Sequence, residues 1–274
     1  MAGPDRMAGD ASLWLIGAGN MGGAMLRGWI AAGIAPQRIS VIDPMIAEVP
    51  AGVTLLRDLP QGDAQPDILV LAVKPQQLDA ITSVFAAKTG APRLLMSILA
   101  GVETVTLSNT FTPNFTVRAM PNLPVSIGEG VTALYSADAD AGVRAEAAAL
   151  VAPLGLVEWI DDEALFDAVT ALSGCGPGFL FRFIDAMAQA GQDLGLPADQ
   201  ALRLATATVK GSGLLAAQSD ESPAILADRV ASPGGSTREG LNVLDRDGAL
   251  KTLVKATLRA SADRNAELAA MARR

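Results

Sequence analysis

The sequence predicts an α/β fold in which an N-terminal domain with a mostly parallel sheet precedes a C-terminal all-helical domain. Short apolar segments alternate with helical segments from residue 13 to residue 160, which is the pattern of a parallel sheet with crossover helices. Beyond an acidic stretch at residues 161–163, the periodic segments have helical spacing. A chain of 274 residues, 50% of them hydrophobic, has room for two such domains and can fill their cores.

The N-terminal domain is predicted over residues 12–162, after a disordered tail at residues 1–11. That tail mixes Gly, Pro, Asp and Arg and lacks the apolar segment of a secretory signal. Apolar runs predict the strands, and proline or glycine follows several of them. The predicted strands are 13–16, 39–43, 53–56, 67–73, 94–99, 116–120, 131–135 and 156–160, and the predicted helices are 24–32, 78–87, 101–107 and 141–152.

The helical domain is predicted over residues 163–274. Ser222 followed by Pro223 is typical of an N-cap with proline at the first helical position. These helices are apolar over more of their circumference than one helical domain of this size needs, so we expect a second copy to cover them; packing against the chain's own sheet domain is the alternative. The predicted helices are 164–172, 179–194, 198–218, one after Ser222, one from Ser236, and 247–271.

A glycine-rich turn follows the first predicted strand and indicates a dinucleotide site. In the run GAGNMG, Gly17 allows the turn, Gly19 lets the backbone approach a diphosphate, and Gly22 lets the helix pack on the strand. Asp43 ends the next strand about 20 residues further on, where a carboxylate binds an adenosine ribose. The alternative is a glycine-rich turn in an α/β domain that binds no nucleotide.

Composition excludes several classes of function. The 21 Lys and Arg residues against 29 Asp and Glu give a net charge of −8, which disfavours nucleic acid and anionic membranes as partners. Histidine is absent, which removes Ser-His-Asp chemistry and histidine metal sites, and no metal site is predicted. The single Cys175, the lack of a signal segment and the lack of an apolar run of about 18 residues predict a cytoplasmic protein without a membrane span.

A second glycine-rich stretch joins two helices at residues 229–241. Ser236 and Glu239 fit the capping-box pattern, so a helix is expected to begin there. Free backbone amides near Gly235, Ser236 and Thr237 would then bind a carboxylate, with help from the helix dipole. On local grounds alone, a plain capped helix that binds no ligand is the favoured interpretation.

This stretch also carries a resemblance to a known family. The run VASPGGSTREGLNVLD at residues 230–245 closely resembles the C-terminal signature of pyrroline-5-carboxylate reductases, which make proline by reducing a cyclic imine. Similar pieces stand in the family's order: GAGNMG at 17–22, AVKP at 72–75, MPN at 120–122, GEG at 128–130 and LSGCGP at 172–177. The resemblance covers residues 13 to about 268. The chain departs from the family at NLP, where NTP is commoner, and at Cys175, where serine is usual.

The resemblance implies an N-terminal Rossmann-like domain with a C-terminal all-helical dimerisation domain. It implies a homodimer, often assembled further, that binds a small cyclic imino acid. Thr237 would lie near the imine nitrogen as the catalytic residue, and Val230 near the substrate ring. The implied substrate-binding residues are Val230, Ser232, Gly234, Gly235, Ser236 and Thr237, and the implied cofactor-binding residues are Gly17, Ala18, Gly19, Asn20, Met21, Gly22, Asp43, Ala72, Val73, Lys74, Pro75, Ile98, Leu99, Ala100 and Asn122.

The predicted cofactor is NADH or NADPH, with NADH slightly favoured. Asp43 would repel a ribose 2′-phosphate by about 4 kcal/mol at ~4 Å and an effective dielectric of ~20, before solvent screening. Arg57 would offset part of this repulsion. Two alternatives to the reductase stay open: a related hydroxyacid dehydrogenase, for which Lys210 is the candidate acid, and a non-catalytic dinucleotide-binding protein.

Overall fold

The computed structural model describes residues 11–60, 62, 64–85 and 90–272. The predicted tail, apart from Ala11, lies outside the described residues. The chain divides into two compact units. The sheet unit comprises the chain up to Gly174 together with residues from Ser261 onward, and the helical unit comprises Cys175–Ala260.

The sheet unit contains one eight-stranded sheet, as the sequence predicts. Its strand order is β3-β2-β1-β4-β5-β6-β7-β8, and the neighbouring strands are parallel except that β7 runs antiparallel to β6. The central strands β1, β4 and β5 are buried along their whole length, which explains their continuous apolar sequences. The strands are β1 Leu13–Ile16, β2 Ile39–Ile42, β3 Thr54–Leu56, β4 Ile68–Leu71, β5 Leu94–Ser97, β6 Phe115–Pro121, β7 Gly130–Tyr135 and β8 Gly155–Trp159.

Helices cover both faces of this sheet. On one face, Met25 and Trp29 share a buried cluster with Leu150, and the indole N–H of Trp29 donates to the Leu150 carbonyl at 2.8 Å. On the other face, Phe85 and Phe111 pack edge to face with ring centroids 5.3 Å apart. The helices of the sheet unit are α1 Asn20–Ala31, α2 Leu78–Phe85, α3 Thr104–Phe111, α4 Ala141–Val151 and α5 Phe166–Val169. The predicted end of α2 at residue 87 lies outside the described residues.

The segment between β5 and α3 differs from the prediction. Strand β5 ends at Ser97 and α3 begins at Thr104, not at residue 101. Gly101 has a φ of +74°, a left-handed conformation that a helix cannot contain. The Thr104 N–H donates to the Glu163 carboxylate at 2.9 Å, so a side chain from another segment sets the start of the helix.

The two compact units divide after Gly174, and the domain boundary predicted after residue 162 stays a prediction. Residues 163–174 form a 3₁₀ turn, α5 and a π-helical turn, and they belong to the sheet unit. Phe166 is 1% exposed and packs with Met120 and Ala133 of the sheet. Burial of this one aromatic side chain keeps the segment on the sheet unit, an effect that local periodicity does not reveal.

The helical unit is built from long helices separated by short loops. Helices α6 and α7 pack closely, and a Cβ at Gly191 would lie 3.4 Å from Cβ of Ala201. Ser222 caps α8 by accepting from the Ile225 N–H, as predicted. The helices are α6 Gly176–Asp193, α7 Ala198–Gln218, α8 Pro223–Arg229, α9 Ser236–Asp245 and α10 Ala249–Ala272, whose last turns belong to the sheet unit.

One helical stretch is notably apolar. Glu163–Asp193 is long and apolar enough to cross a membrane by length and composition, with 17% of its most apolar window buried. On α6, Leu180, Phe181 and Phe183 are each about half exposed within the single chain. One such helix is weak evidence for a membrane span, because core helices of soluble proteins pass the same length and composition test. The prediction that the chain has no membrane span stays a prediction.

Candidate functional site

The glycine-rich loop connects β1 to α1 at the carboxyl end of the sheet. Gly17 has a φ of +88°, and its N–H donates to the Ile42 carbonyl at 2.9 Å. A Cβ at Gly22 would lie 2.2 Å from the Gly17 carbonyl oxygen, so only glycine lets α1 pack this closely. The turn role predicted for Gly17 and the packing role predicted for Gly22 are therefore confirmed.

Gly19 differs from these two glycines. It is the N-cap of α1, and no heavy atom of the described residues lies within 4 Å of the place its Cβ would take. The first turn of α1 contains the neutral residues Asn20, Met21, Gly22 and Gly23. An open space beside an uncharged helix N-terminus fits a diphosphate, which the first-turn amides and the helix dipole would stabilise.

Asp43 fastens the glycine-rich loop to the end of β2. It is 8% exposed; its Oδ2 accepts from the Ala18 N–H at 2.8 Å, and its Oδ1 accepts from Met45 at 2.8 Å and Ile46 at 3.3 Å. Burial raises the pKa of Asp43, but these three hydrogen bonds and the positive charge of Arg57 lower it more, so the pKa lies below the ordinary 3.8. Asp43 is thus a buried anion at the predicted ribose position, and its contact with the ribose stays a prediction.

The segment 72–75 lies against the same loop. The Ala72 N–H donates to the Ile16 carbonyl at 2.8 Å, and a Cβ at Gly17 would lie 2.9 Å from Cγ1 of Val73. Lys74 is exposed, and its backbone N–H donates to the Gln77 side chain at 3.1 Å. Pro75 then begins a 3₁₀ turn. This backbone therefore forms one wall of the crevice beside the glycine-rich loop.

The segment 98–100 continues this wall at the end of β5. The Ile98 N–H donates to the Leu71 carbonyl at 3.0 Å, and the Leu99 N–H donates to Oγ of Ser97 at 3.2 Å. The Leu99 side chain is 1% exposed and belongs to the core. Contact with a cofactor here would therefore fall to the backbone and to Ile98 and Ala100.

The side chain of Asn122, just after β6, joins neighbouring segments by hydrogen bonds that the sequence did not predict. It is 7% exposed, its Oδ1 accepts from the Val131 N–H at 2.8 Å, and its Nδ2 donates to the Ser173 carbonyl at 3.0 Å. Both ends of the side-chain amide are thus used to tie β7 and the π-helical turn Thr170–Gly174 to β6. The predicted cofactor contact at Asn122 stays a prediction.

The strand order explains why these segments meet. Strand β1 lies between β2 and β4, so the connections leaving β1 and β4 diverge and open a crevice at their carboxyl ends. The glycine-rich loop, Asp43, segment 72–75 and segment 98–100 all lie along this edge. The sheet unit therefore brings the main predicted cofactor residues together.

The predicted substrate loop lies in the helical unit, between α8 and α9. Gly234 has a φ of +70°, and the Gly235 N–H donates to the Ser232 carbonyl at 3.0 Å in a tight turn. The expectation that the Gly235 amide is free is therefore wrong. The capping box is also wrong: α9 begins at Ser236 as predicted, but Gly235 is its N-cap, without a side-chain cap among the described residues.

The first-turn amides of α9 make this loop a candidate anion site, and an arginine that the sequence did not predict holds the loop in place. Ser236 and Thr237 are exposed, and the first amides of a helix have no partner within the helix. Arg238 Nη2 donates to the Asp228 carboxylate at 2.8 Å and to the Ala231 carbonyl at 3.4 Å, which ties the loop to α8. Sequence reasoning missed Arg238 because its partner lies ten residues away, outside any helical spacing.

Comparison with known proteins identifies the family. Residues 163–268 match the family model described as pyrroline-5-carboxylate reductase dimerisation, and residues 12–101 match the one described as NADP oxidoreductase coenzyme F420-dependent. A relative from Pseudomonas aeruginosa, named pyrroline-5-carboxylate reductase, is 35% identical, and the match covers 93% of this chain and 95% of that protein. The chain belongs to the pyrroline-5-carboxylate reductase family.

Other relatives and solved structures of this family agree. A pyrroline-5-carboxylate reductase from Arabidopsis thaliana is 34% identical over 92% of this chain and 94% of its own length. The structure of the enzyme from Coxiella burnetii has a TM-score of 0.87 at 32% identity and covers 94% of this chain and 98% of that one. The structure from Plasmodium falciparum, with NADP bound, has a TM-score of 0.78 at 26% identity and covers 95% and 98%. The family and fold class predicted from the sequence are confirmed.

The roles of Gly19 and Gly22 can be tested separately. Gly19→Ala adds a methyl group in open space, so thermal unfolding should shift by less than about 4 °C, while the Kd for NADH should rise about tenfold or more because the methyl group meets the diphosphate. Gly22→Ala should lower the free energy of unfolding by about 1–3 kcal/mol through overpacking. Circular dichroism and NADH titration measure the two effects. A Gly19→Ala variant that binds NADH like the wild type would contradict the diphosphate position.

Proposed function

We propose that this protein is a pyrroline-5-carboxylate reductase, which reduces the C=N bond of 1-pyrroline-5-carboxylate to give L-proline. The observation that carries the proposal is the match of reductase relatives, 31–36% identical, to more than nine-tenths of the chain. Further support comes from the crevice of the sheet unit, which gathers the residues predicted to bind a dinucleotide, and from the loop before α9, which is a candidate anion site.

The chemistry of this reduction suits a chain without histidine. A bound NADH or NADPH supplies a hydride to the imine carbon, and the imine nitrogen takes a proton. A cyclic imine is basic enough to be partly protonated from water. The residues of this chain therefore mainly orient the reactants and exclude solvent.

The loop before α9 is proposed to hold the substrate. The amides of Ser236 and Thr237 would donate to its carboxylate at the N-terminus of α9, and Arg238, paired with Asp228 at 2.8 Å, would hold the loop in place. The Thr237 hydroxyl would share a hydrogen bond with the imine nitrogen. Val230, which is 66% exposed, would contact the ring, and Ser232 and Gly234 would shape the turn.

A homodimer is part of the proposal. The matched dimerisation model spans residues 163–268, and the half-exposed Leu180, Phe181 and Phe183 of α6 offer an apolar surface for a second copy. Further assembly of dimers and a cytoplasmic location stay predictions.

For the cofactor, we propose a preference for NADH over NADPH. Asp43 keeps its negative charge because the amides around it stabilise the carboxylate. Arg57 Nη1 donates to the Asp43 carbonyl at 3.4 Å and to the Ile46 carbonyl, so a cation lies close enough to moderate repulsion of a 2′-phosphate. The balance of these two charges would set a modest preference.

The reductase activity is tested by following the oxidation of NADH at 340 nm with 1-pyrroline-5-carboxylate. We expect turnover with proline as the product, confirmed by mass spectrometry. A protein that binds NADH without oxidising it would instead support a non-catalytic dinucleotide-binding role, and reduction of a 2-keto acid in place of the imine would favour a hydroxyacid dehydrogenase.

The role of Thr237 is tested by Thr237→Ala. Loss of one hydrogen bond to the imine nitrogen should lower kcat/KM for the imine about tenfold to a hundredfold, and leave NADH affinity unchanged. Thr252→Ala, an exposed threonine on α10, is the control and should retain full activity. Equal kcat/KM values for the two variants would remove the proposed role.

The cofactor preference is tested by Asp43→Asn. Removing the charge should raise the ratio of kcat/KM for NADPH to kcat/KM for NADH by about tenfold, which corresponds to ~1.4 kcal/mol of screened repulsion. Asp67→Asn is a matched control, since Asp67 also accepts a backbone N–H, from Ser12 at 2.7 Å, but lies just before β4 at the opposite edge of the sheet. Wild-type protein that prefers NADPH, or an unchanged ratio in Asp43→Asn, would contradict the proposal.

A further inference from the structure

The loop between β5 and α3, residues 98–103, is the part of the cofactor crevice whose position depends on a distant part of the chain. Its first half is fixed by the Ile98 and Leu99 amides, as described above. Gly101, in its second half, has a φ of +74° and begins no regular element. The position of this loop's backbone therefore depends on the segment that packs against Gly101.

The end of α10 lies against Gly101. A Cβ placed on Gly101 would be 3.1 Å from Cα and 3.3 Å from Cβ of Ala269. Ala269 is 7% exposed, whereas the next residue, Ala270, is exposed. Two small residues thus allow a helix backbone to touch the loop directly, beside a cavity of about 190 Å³ that both residues line.

Polar contacts hold the end of α10 and the loop between β5 and α3 in place. Nδ2 of Asn265, one turn before Ala269, donates to Oδ1 of Asp167 at 2.9 Å. At the far end of the loop, the N–H and hydroxyl of Thr104 donate to the Glu163 carboxylate at 2.9 and 2.7 Å. Glu163 also pairs with the buried Arg118 at 3.0 Å. The segment 163–167 therefore ties the end of α10 and the start of α3 to the sheet.

We propose that Ala269 and Asn265 are positioning residues for the cofactor, which act by setting the backbone of the loop between β5 and α3. The proposal rests on the proposed function, in which a dinucleotide lies in the crevice that residues 98–100 help to wall. The Leu99 side chain is buried, so the loop presents mainly backbone and small side chains, and its contribution depends on where that backbone stands. A displacement of about 1 Å near reacting groups is enough to lower a rate strongly.

The experiment compares Ala269→Leu with Ala270→Leu, which adds the same side chain one residue later on the exposed side of α10. In Ala269→Leu, we expect KM and Kd for NADH to rise about tenfold, equivalent to one lost hydrogen bond. KM for the imine should change little, while the unfolding temperature should fall by a few degrees because the larger side chain is packed against Gly101. Ala270→Leu should match the wild type in all four quantities. Steady-state kinetics with each substrate varied, NADH titration and thermal unfolding provide the data.

Asn265→Ala keeps the inference testable if Ala269→Leu does not fold. It removes the contact with Asp167 without adding volume, and we expect a rise of about threefold in KM for NADH. An NADH affinity in Ala269→Leu equal to that of Ala270→Leu overturns the inference, as does an equal rise in KM for NADH and for the imine. Wild-type protein that neither binds nor oxidises NADH would instead overturn the proposed function, and is recognised before any variant is made.

Discussion

The contact on which the sheet unit depends is the one between Gly22 of α1 and the carbonyl oxygen of Gly17. Only a hydrogen atom fits between them, since a Cβ would lie 2.2 Å from the oxygen. This contact brings the first turn of α1 down onto the ends of β1 and β4, beside Ala72. The helix N-terminus, the open space over Gly19 and the segment 72–75 therefore share one edge of the sheet, and a bulkier residue at position 22 would move all three apart.

Binding of an anionic ligand to this acidic chain would depend on local groups and not on the net charge. The chain carries a net charge of −8, which repels a dinucleotide and a carboxylate at long range. In the sheet unit, the first turn of α1 carries no charge, and Arg57 donates to the Asp43 carbonyl at the end of β2. In the helical unit, the first-turn residues Ser236 and Thr237 of α9 are exposed. The buried carboxylate of Asp43 accepts three amide hydrogen bonds of its own, so part of its charge is neutralised by the fold before a ligand arrives.

Much of this arrangement was predictable from the sequence. The apolar runs and the glycine spacing predicted the strands, the crevice and the packing role of Gly22, because these depend on local periodicity and on the space a single atom occupies. The start of α3 and the place of residues 163–174 were not predictable, because a carboxylate from Glu163 and the burial of Phe166 decide them over long sequence distances. The same reason applies to Arg238 and Asp228, and to both ends of the Asn122 amide. The capping box failed because Gly235, in an extended conformation, occupies the N-cap position and Ser236 already lies inside the helix.

The burial of Trp29, with its indole N–H bonded to Leu150, has a spectroscopic consequence. The three tryptophans of the chain, Trp14, Trp29 and Trp159, and its single tyrosine, Tyr135, all belong to the sheet unit. Intrinsic emission therefore reports on the sheet unit alone, while Cys175–Ala260 absorbs at 280 nm almost not at all. Binding of a nicotinamide that accepts excitation energy from these indoles would quench their emission. Unfolding of the helical unit alone would leave the emission spectrum unchanged.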